Sequence, residues 1–204
     1  PDGPAVPSVT DWRSNWAVEA GFDVTIDAKG FQFPTAIAFV PNPGQSPKSP
    51  LYFVSELGGA VKVVTIDRTV FTFAEGFFTL LPSFERAIGM AGICLAPEDG
   101  YVFVTFSYLD ADRILRNNIV RFESSPGIFS LEATSQIDFT DVFAAYQSAP
   151  SHQIGPCQVN KGLLYVSVAD GSQTEQSQRM DSLLGKILRM TLDGRPASEN
   201  PFYQ

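Results

Sequence analysis

Gly92-Ile93-Cys94-Leu95-Ala96-Pro97, then Tyr101-Val102-Phe103-Val104-Thr105, then Asn118-Ile119-Val120-Arg121-Phe122 form one unit: strand, turn, aromatic-rich strand, loop, strand. The same plan occurs on either side of it. Upstream it reads Ala36-Ile37-Ala38-Phe39-Val40-Pro41, Leu51-Tyr52-Phe53-Val54-Ser55 and Val61-Lys62-Val63-Val64. Downstream it reads Gly155-Pro156-Cys157-Gln158-Val159-Asn160, Leu164-Tyr165-Val166-Ser167 and Gly185-Lys186-Ile187-Leu188-Arg189. Fourth strands are expected over 69–74 and 128–133. The period, roughly 50 to 65 residues, is that of a four-stranded blade. Long amphipathic helices do not separate the strands, which excludes βαβ architecture. Short helical turns are expected at 139–146 and 178–184.

The predicted fold is therefore all-β: a partial β-propeller of four-stranded antiparallel blades. Residues 1–18, with Pro1, Pro4 and Pro7, form an extended lead-in. Blade one covers about 19–81, blade two about 82–141, and blade three about 148–204, the last one incomplete. Three blades do not close a ring, and an open arc exposes strand edges and the apolar flanks of its end blades. The expectation is that further residues beyond Gln204, or another chain, supply the missing blades.

Composition agrees with this architecture and removes several functions. Seventeen Phe favour strands, and 15 Pro with 16 Gly supply the turns that such a fold needs. Acidic side chains outnumber basic ones by 22 to 14, for a net charge of −8. Without a basic face the chain has no means of gripping nucleic acid or an anionic membrane. No apolar stretch reaches the roughly 18 residues of a membrane span. The Gly58-Gly59 pair is a hairpin turn and not a phosphate cradle, no nucleophile elbow surrounds Ser172, and Asp110 with Asp112 reads as a solvated hairpin tip.

Cys94 and Cys157 fall at equivalent positions on the first strands of neighbouring blades, facing the central channel. Two cysteines outside any CxxC pair do not make a zinc site. Small buried thiols are the commoner use of such residues; a single disulfide is the other, and strand equivalence alone does not bring two Cα atoms within bonding distance.

The third unit adds a more specific pattern. Ser151-His152-Gln153-Ile154-Gly155 precedes a strand ending in Ala169-Asp170-Gly171. Then follow Leu183-Leu184-Gly185-Lys186-Ile187-Leu188-Arg189, Asp193-Gly194-Arg195-Pro196 and Asn200-Pro201-Phe202. This order resembles the soluble quinoprotein glucose/sorbosone dehydrogenases. Gly21-Phe22 leading to 34–39, and Leu115-Arg116-Asn117-Asn118-Ile119-Val120-Arg121-Phe122 as an outer strand of the second blade, agree with it more weakly.

The resemblance implies a six-bladed ring and an extracytoplasmic oxidoreductase acting on the anomeric carbon of a sugar. Its cofactors would be pyrroloquinoline quinone (PQQ) and calcium, with the calcium ligands outside this chain. It makes His152, the only histidine, the general base, and Asp170 the carboxylate that orients it. Imidazole suits that task because its pKa lies near working pH. Gln153 and Glu85 take the cofactor-facing positions, Glu85 only with a two-residue shift that otherwise puts Ala87 there. Pro156 stands where the family has arginine, Ile154 where it has glycine, and Ala169 where it has glycine before the aspartate. Those departures keep a second reading in view, a non-catalytic propeller used for binding.

Overall fold

The computed structural model describes residues 17–78 and 88–201, and within them the repeat becomes three antiparallel sheets laid side by side. Blade one is β1 (Pro34–Phe39), β2 (Pro50–Glu56), β3 (Val61–Thr65) and β4 (Val70–Ala74), in that order. Blade two is β5 (Gly89–Ala96), β6 (Tyr101–Leu109), β7 (Leu115–Glu123) and β8 (Ser135–Asp138). A one-turn helix, α1 (Thr140–Phe143), leads towards blade three, which has β9 (Ile154–Asn160), β10 (Leu163–Val168) and β11 (Lys186–Thr191). The first strands are neighbours: β1 packs on β5, and β5 on β9.

Aromatic rings fill the wedge between blades one and two. Phe53 meets Phe73 and Phe129 edge-on, with centroids 4.9 Å and 5.3 Å apart, and Phe77 meets Phe122 at 4.8 Å. Phe53, Phe103, Phe106 and Phe122 are fully buried, each stabilising by roughly 1.5–3 kcal/mol relative to exposure. Between blades two and three lie Phe103, Ile119, Phe143, Leu164, Val166 and Met190. Arg121 adds a polar tie there: its buried guanidinium donates to Leu192 O (2.9 Å) and Asp193 Oδ1 (2.5 Å), and lies 4.2 Å from the Tyr101 ring centroid.

The outward faces of the end blades keep the apolar flanks expected of an open arc. Ile37 and Phe39 on β1 are 51% and 65% exposed, and Ile187 on β11 is 76% exposed. Part of the first flank is covered by the segment before β1, where Ala28 and Phe31 pack over Tyr52, Val54 and Val64. Asp27 anchors that strap, accepting hydrogen bonds from Tyr52 Oη and Arg68 Nε at 2.7 Å each.

Several expectations are corrected. The fourth strand of blade two is β8, not 128–133. The earlier stretch crosses back to blade one, where Ala133 N donates to Phe73 O and Phe129 enters the aromatic wedge. Residues 115–122 lie in β7, the third strand of their blade, with β8 at the edge beyond it. The turn expected at 178–184 is a 3-10 helix at Thr174–Gln178, because Lys186 Nζ draws the carbonyls of Gln176, Ser177 and Leu184 onto itself. Asp112 is the exposed hairpin tip that was expected, but Asp110 is not: its carboxylate pairs with Arg116 at 3.0 Å and accepts the Ile114 amide. Cys94 and Cys157 are not separate thiols. They form a disulfide between β5 and β9 with their Cα atoms 5.6 Å apart, so the channel-lining strands approach more closely than their equivalence alone requires.

Candidate functional site

One backbone position is shared by the three blades. Counting back five residues from Ala38, Cys94 and Cys157 gives Phe33, Gly89 and His152, and all three have positive φ (51°, 138° and 57°). In blades one and three the chain turns through this left-handed residue to enter the first strand, whereas Gly89 already lies in β5, paired with Ser107. The carbonyl of the turning residue is held in the same way in blades one and three: Leu57 N donates to Phe33 O, and Gly171 N to His152 O, both at 2.9 Å. Histidine is among the few residues that accept this conformation readily.

The second strand of blade three ends beside that turn, and this brings the predicted pair together. His152 Nδ1 lies 2.9 Å from Asp170 Oδ1. The carboxylate can only accept, so Nδ1 carries the proton of the neutral ring and Nε2 keeps its lone pair. Asp170 also accepts the Ser172 amide at 2.9 Å. The hydrogen bond from His152, with that amide, holds the Asp170 carboxyl below the usual range against an opposing effect of burial. The imidazole side chain is 62% exposed and the carboxylate 16%. The aspartate thus stands behind the ring, and the ring faces outward. Such an arrangement can accept a proton at Nε2 and stabilise the imidazolium through the carboxylate.

Gln153, expected to face the cofactor, directly follows His152. Its amide Nε2 donates to Ala149 O at 2.7 Å, bracing the turn that carries His152. Glu85 and Ala87 lie outside the described residues. Among the described residues no group of three or more His, Cys, Asp or Glu is placed to hold a metal ion. Four cations of blades two and three have structural partners: Arg116 with Asp110, Arg179 with Asp181, Arg189 with Asn200, and Lys186 with three carbonyls.

The sequence block from Leu183 onward turns out to be architectural. Lys186 gathers the 3-10 loop, Arg189 and Asn200 bond reciprocally at 2.6 Å and 2.9 Å, and Asp193 receives Arg121 from blade two. An open groove of about 980 Å³ runs along β11 past Tyr165, Ile187 and Arg189; neither His152 nor Asp170 lines it. Thr105 and Asn117 stand in stretches that mark strands, but no motif gives them or Ser107 a role; all three are polar residues buried in blade two against the His152 turn. The only sequence signal for them is polar character inside otherwise apolar strands.

Comparison with known proteins follows the same lines. Three solved structures align with 85% of the chain. An oxidoreductase (glucose dehydrogenase) from Thermus thermophilus is 26% identical with a TM-score of 0.58, and 47% of its length is covered. A glucose dehydrogenase is 17% identical with a TM-score of 0.63 and 52% covered. The apo-form soluble aldose sugar dehydrogenase of Escherichia coli is 18% identical with a TM-score of 0.58 and 48% covered. The chain thus spans about half the length of these structures. A search of the curated proteins gives no significant match. The family profile for glucose / sorbosone dehydrogenase matches residues 31–204, and the chain belongs to that family.

Proposed function

We propose that this chain contributes three blades and the general base of a PQQ-dependent dehydrogenase that oxidises the anomeric carbon of an aldose. The observation that carries the reading is the His152–Asp170 pair at 2.9 Å, with the ring exposed and the carboxylate behind it. His152 Nε2 accepts the proton of the anomeric hydroxyl while Asp170 fixes the tautomer and stabilises the resulting imidazolium. The quinone supplies the acceptor for the hydride that leaves the anomeric carbon.

The described residues fit the base of this reaction but not the grip on the quinone. Three carboxylates on the cofactor call for cationic clamps, and the arginines and lysine named above already have structural partners. Those clamps, the calcium ligands and the remaining blades belong to the rest of the parent chain or to another chain. The disulfide between blades two and three supports an extracytoplasmic location, since such bonds persist in oxidising compartments.

The second reading is a non-catalytic binding propeller, which the departures at Ile154, Pro156 and Ala169 favour. Dye reduction with several aldoses, measured on full-length protein reconstituted with quinone and calcium, separates the two. Turnover that His152→Ala abolishes in a folded protein supports the enzyme. Absence of both quinone binding and turnover rejects it in favour of the binding module.

A further inference from the structure

Blade two holds the connection that carries His152 through three consecutive residues at the start of β7. Arg116 Nη1 donates to Ala144 O at 3.1 Å, Leu115 O accepts the Ser148 amide at 2.8 Å, and Asn117 Oδ1 accepts the Ile154 amide at 3.2 Å. Asn117 is itself fixed, because Ser107 Oγ donates to the same oxygen at 2.9 Å. One residue further along, Thr105 Oγ1 donates to Gly155 O at 2.7 Å. Thr105, Ser107 and Asn117 are all at most 4% exposed. Polar side chains buried to this degree are retained where each has its partner, and here two of the three close on backbone atoms two and three residues after His152.

We propose that Asn117 is a positioning residue for His152, acting across the interface between blades two and three. Its oxygen fixes the Ile154 amide, and with it the direction in which the chain leaves the left-handed turn. The carbonyls of His152 and Gln153 are fixed from the other side by Gly171 N and Ala169 N. The imidazole is then held at the Asp170 carboxylate from both directions. Neither Asn117 nor Ser107 touches the ring. Their effect is to keep the Nδ1–H tautomer dominant, so that Nε2 is the basic nitrogen. This inference rests on the reading of His152 as a base, but its geometry can be measured without turnover.

The test is ¹H–¹⁵N spectroscopy of the histidine ring in the full-length protein, with His152→Gln assigning the signals by their loss. Asn117→Leu removes the acceptor, and the ratio of Nδ1–H to Nε2–H ring is expected to fall about fivefold, the factor that one ordinary hydrogen bond corresponds to. Asn117→Asp keeps an acceptor oxygen in place and is expected to retain the wild-type ratio. Ser107→Ala, which leaves the Asn117 oxygen less constrained, is expected to give a smaller fall in the same direction and serves if Asn117→Leu does not fold. A folded Asn117→Leu or Ser107→Ala protein with wild-type ring signals overturns the proposal. A shifted ratio together with turnover that survives His152→Ala sinks the general-base reading and leaves the positioning role standing.

Discussion

Breaking the bond between Cys94 and Cys157 removes a covalent link between two channel-lining strands, and its cost follows from the chain length that it closes. The two residues are 63 apart in sequence. Closing a loop of that size removes about 14 cal/mol/K of entropy from the unfolded chain, or about 4 kcal/mol at 25 °C. Cys94→Ala/Cys157→Ala leaves no lone thiol and places small apolar groups where the sulfurs were. With a urea dependence of roughly 2–3 kcal/mol/M for a chain of this size, the unfolding midpoint should fall by about 1.5 M. Circular dichroism across a urea series reads this directly. Adding a reductant to the wild type should produce a similar fall, and adding it to the variant should change nothing. A double variant whose midpoint moves by less than about 0.3 M refutes the chain-entropy reasoning. Native protein that takes up two alkylating groups without reductant refutes the bond itself.

Other outcomes follow from single contacts. Arg121→Ala leaves the Leu192 carbonyl without its donor while the exposed Asp193 returns to water, and should cost about 1–3 kcal/mol, seen as a Tm lower by about 2–12 °C. At Gly92 an added Cβ would stand 2.7 Å from Pro156 Cα and 2.8 Å from Thr105 Oγ1, so Gly92→Ala should force β5 and β9 apart at a cost of about 1–3 kcal/mol; an unchanged Tm would contradict that close approach. Burial, then the hydrogen bond to the Asp27 carboxylate, pushes the Tyr52 phenol up to about 12. Its raised value stabilises the fold below the unfolded phenol's pKa near 10, and that contribution is lost between about pH 10 and 12; ultraviolet titration should show a late-ionising phenol that Tyr52→Phe abolishes. The depressed carboxyls of Asp110 and Asp170 act at the other end, their stabilisation present above the unfolded value near 4 and lost as pH falls through their folded values. If the proposed function holds, Asp170→Asn in full-length protein reconstituted with quinone and calcium should lower kcat by about 10²–10⁴-fold with a small change in KM, because it removes a carboxylate that acts on the charged ring.

Blade architecture was legible because the same order of short apolar runs and Pro- or Gly-containing turns recurs every 50 to 65 residues, with no long amphipathic helix between them. The His152–Asp170 pair was legible through resemblance, and the structure gives its physical basis in a shared turn. Less was readable where one blade interferes with another. The stretch 128–133 has the composition of a strand, yet Phe129 is drawn into the wedge against Phe53 and the pairing is deferred to β8. The bond from the Gln153 amide to the Ala149 carbonyl, four residues back, has no signal in the sequence. The disulfide depends on how closely two sheets converge, a quantity that strand periodicity does not contain. Asn117 eluded the sequence for the same reason, since its partner lies 37 residues away on another blade.

The left-handed turn at the head of blades one and three has a consequence for how such a protein can change. Because the backbone builds this corner in blades one and three for structural purposes, a side chain displayed from it demands no new loop. Blade two cannot use the opportunity: at Gly89 a Cβ would stand 2.5 Å from the Leu57 carbonyl oxygen, so that position stays mute. Blades one and three accept a side chain, and they carry Phe33 and His152. Chemistry at these corners is therefore interchangeable in a way that the strands are not. A substitution at Phe33 or His152 changes the displayed group while the strands around it keep their pairing.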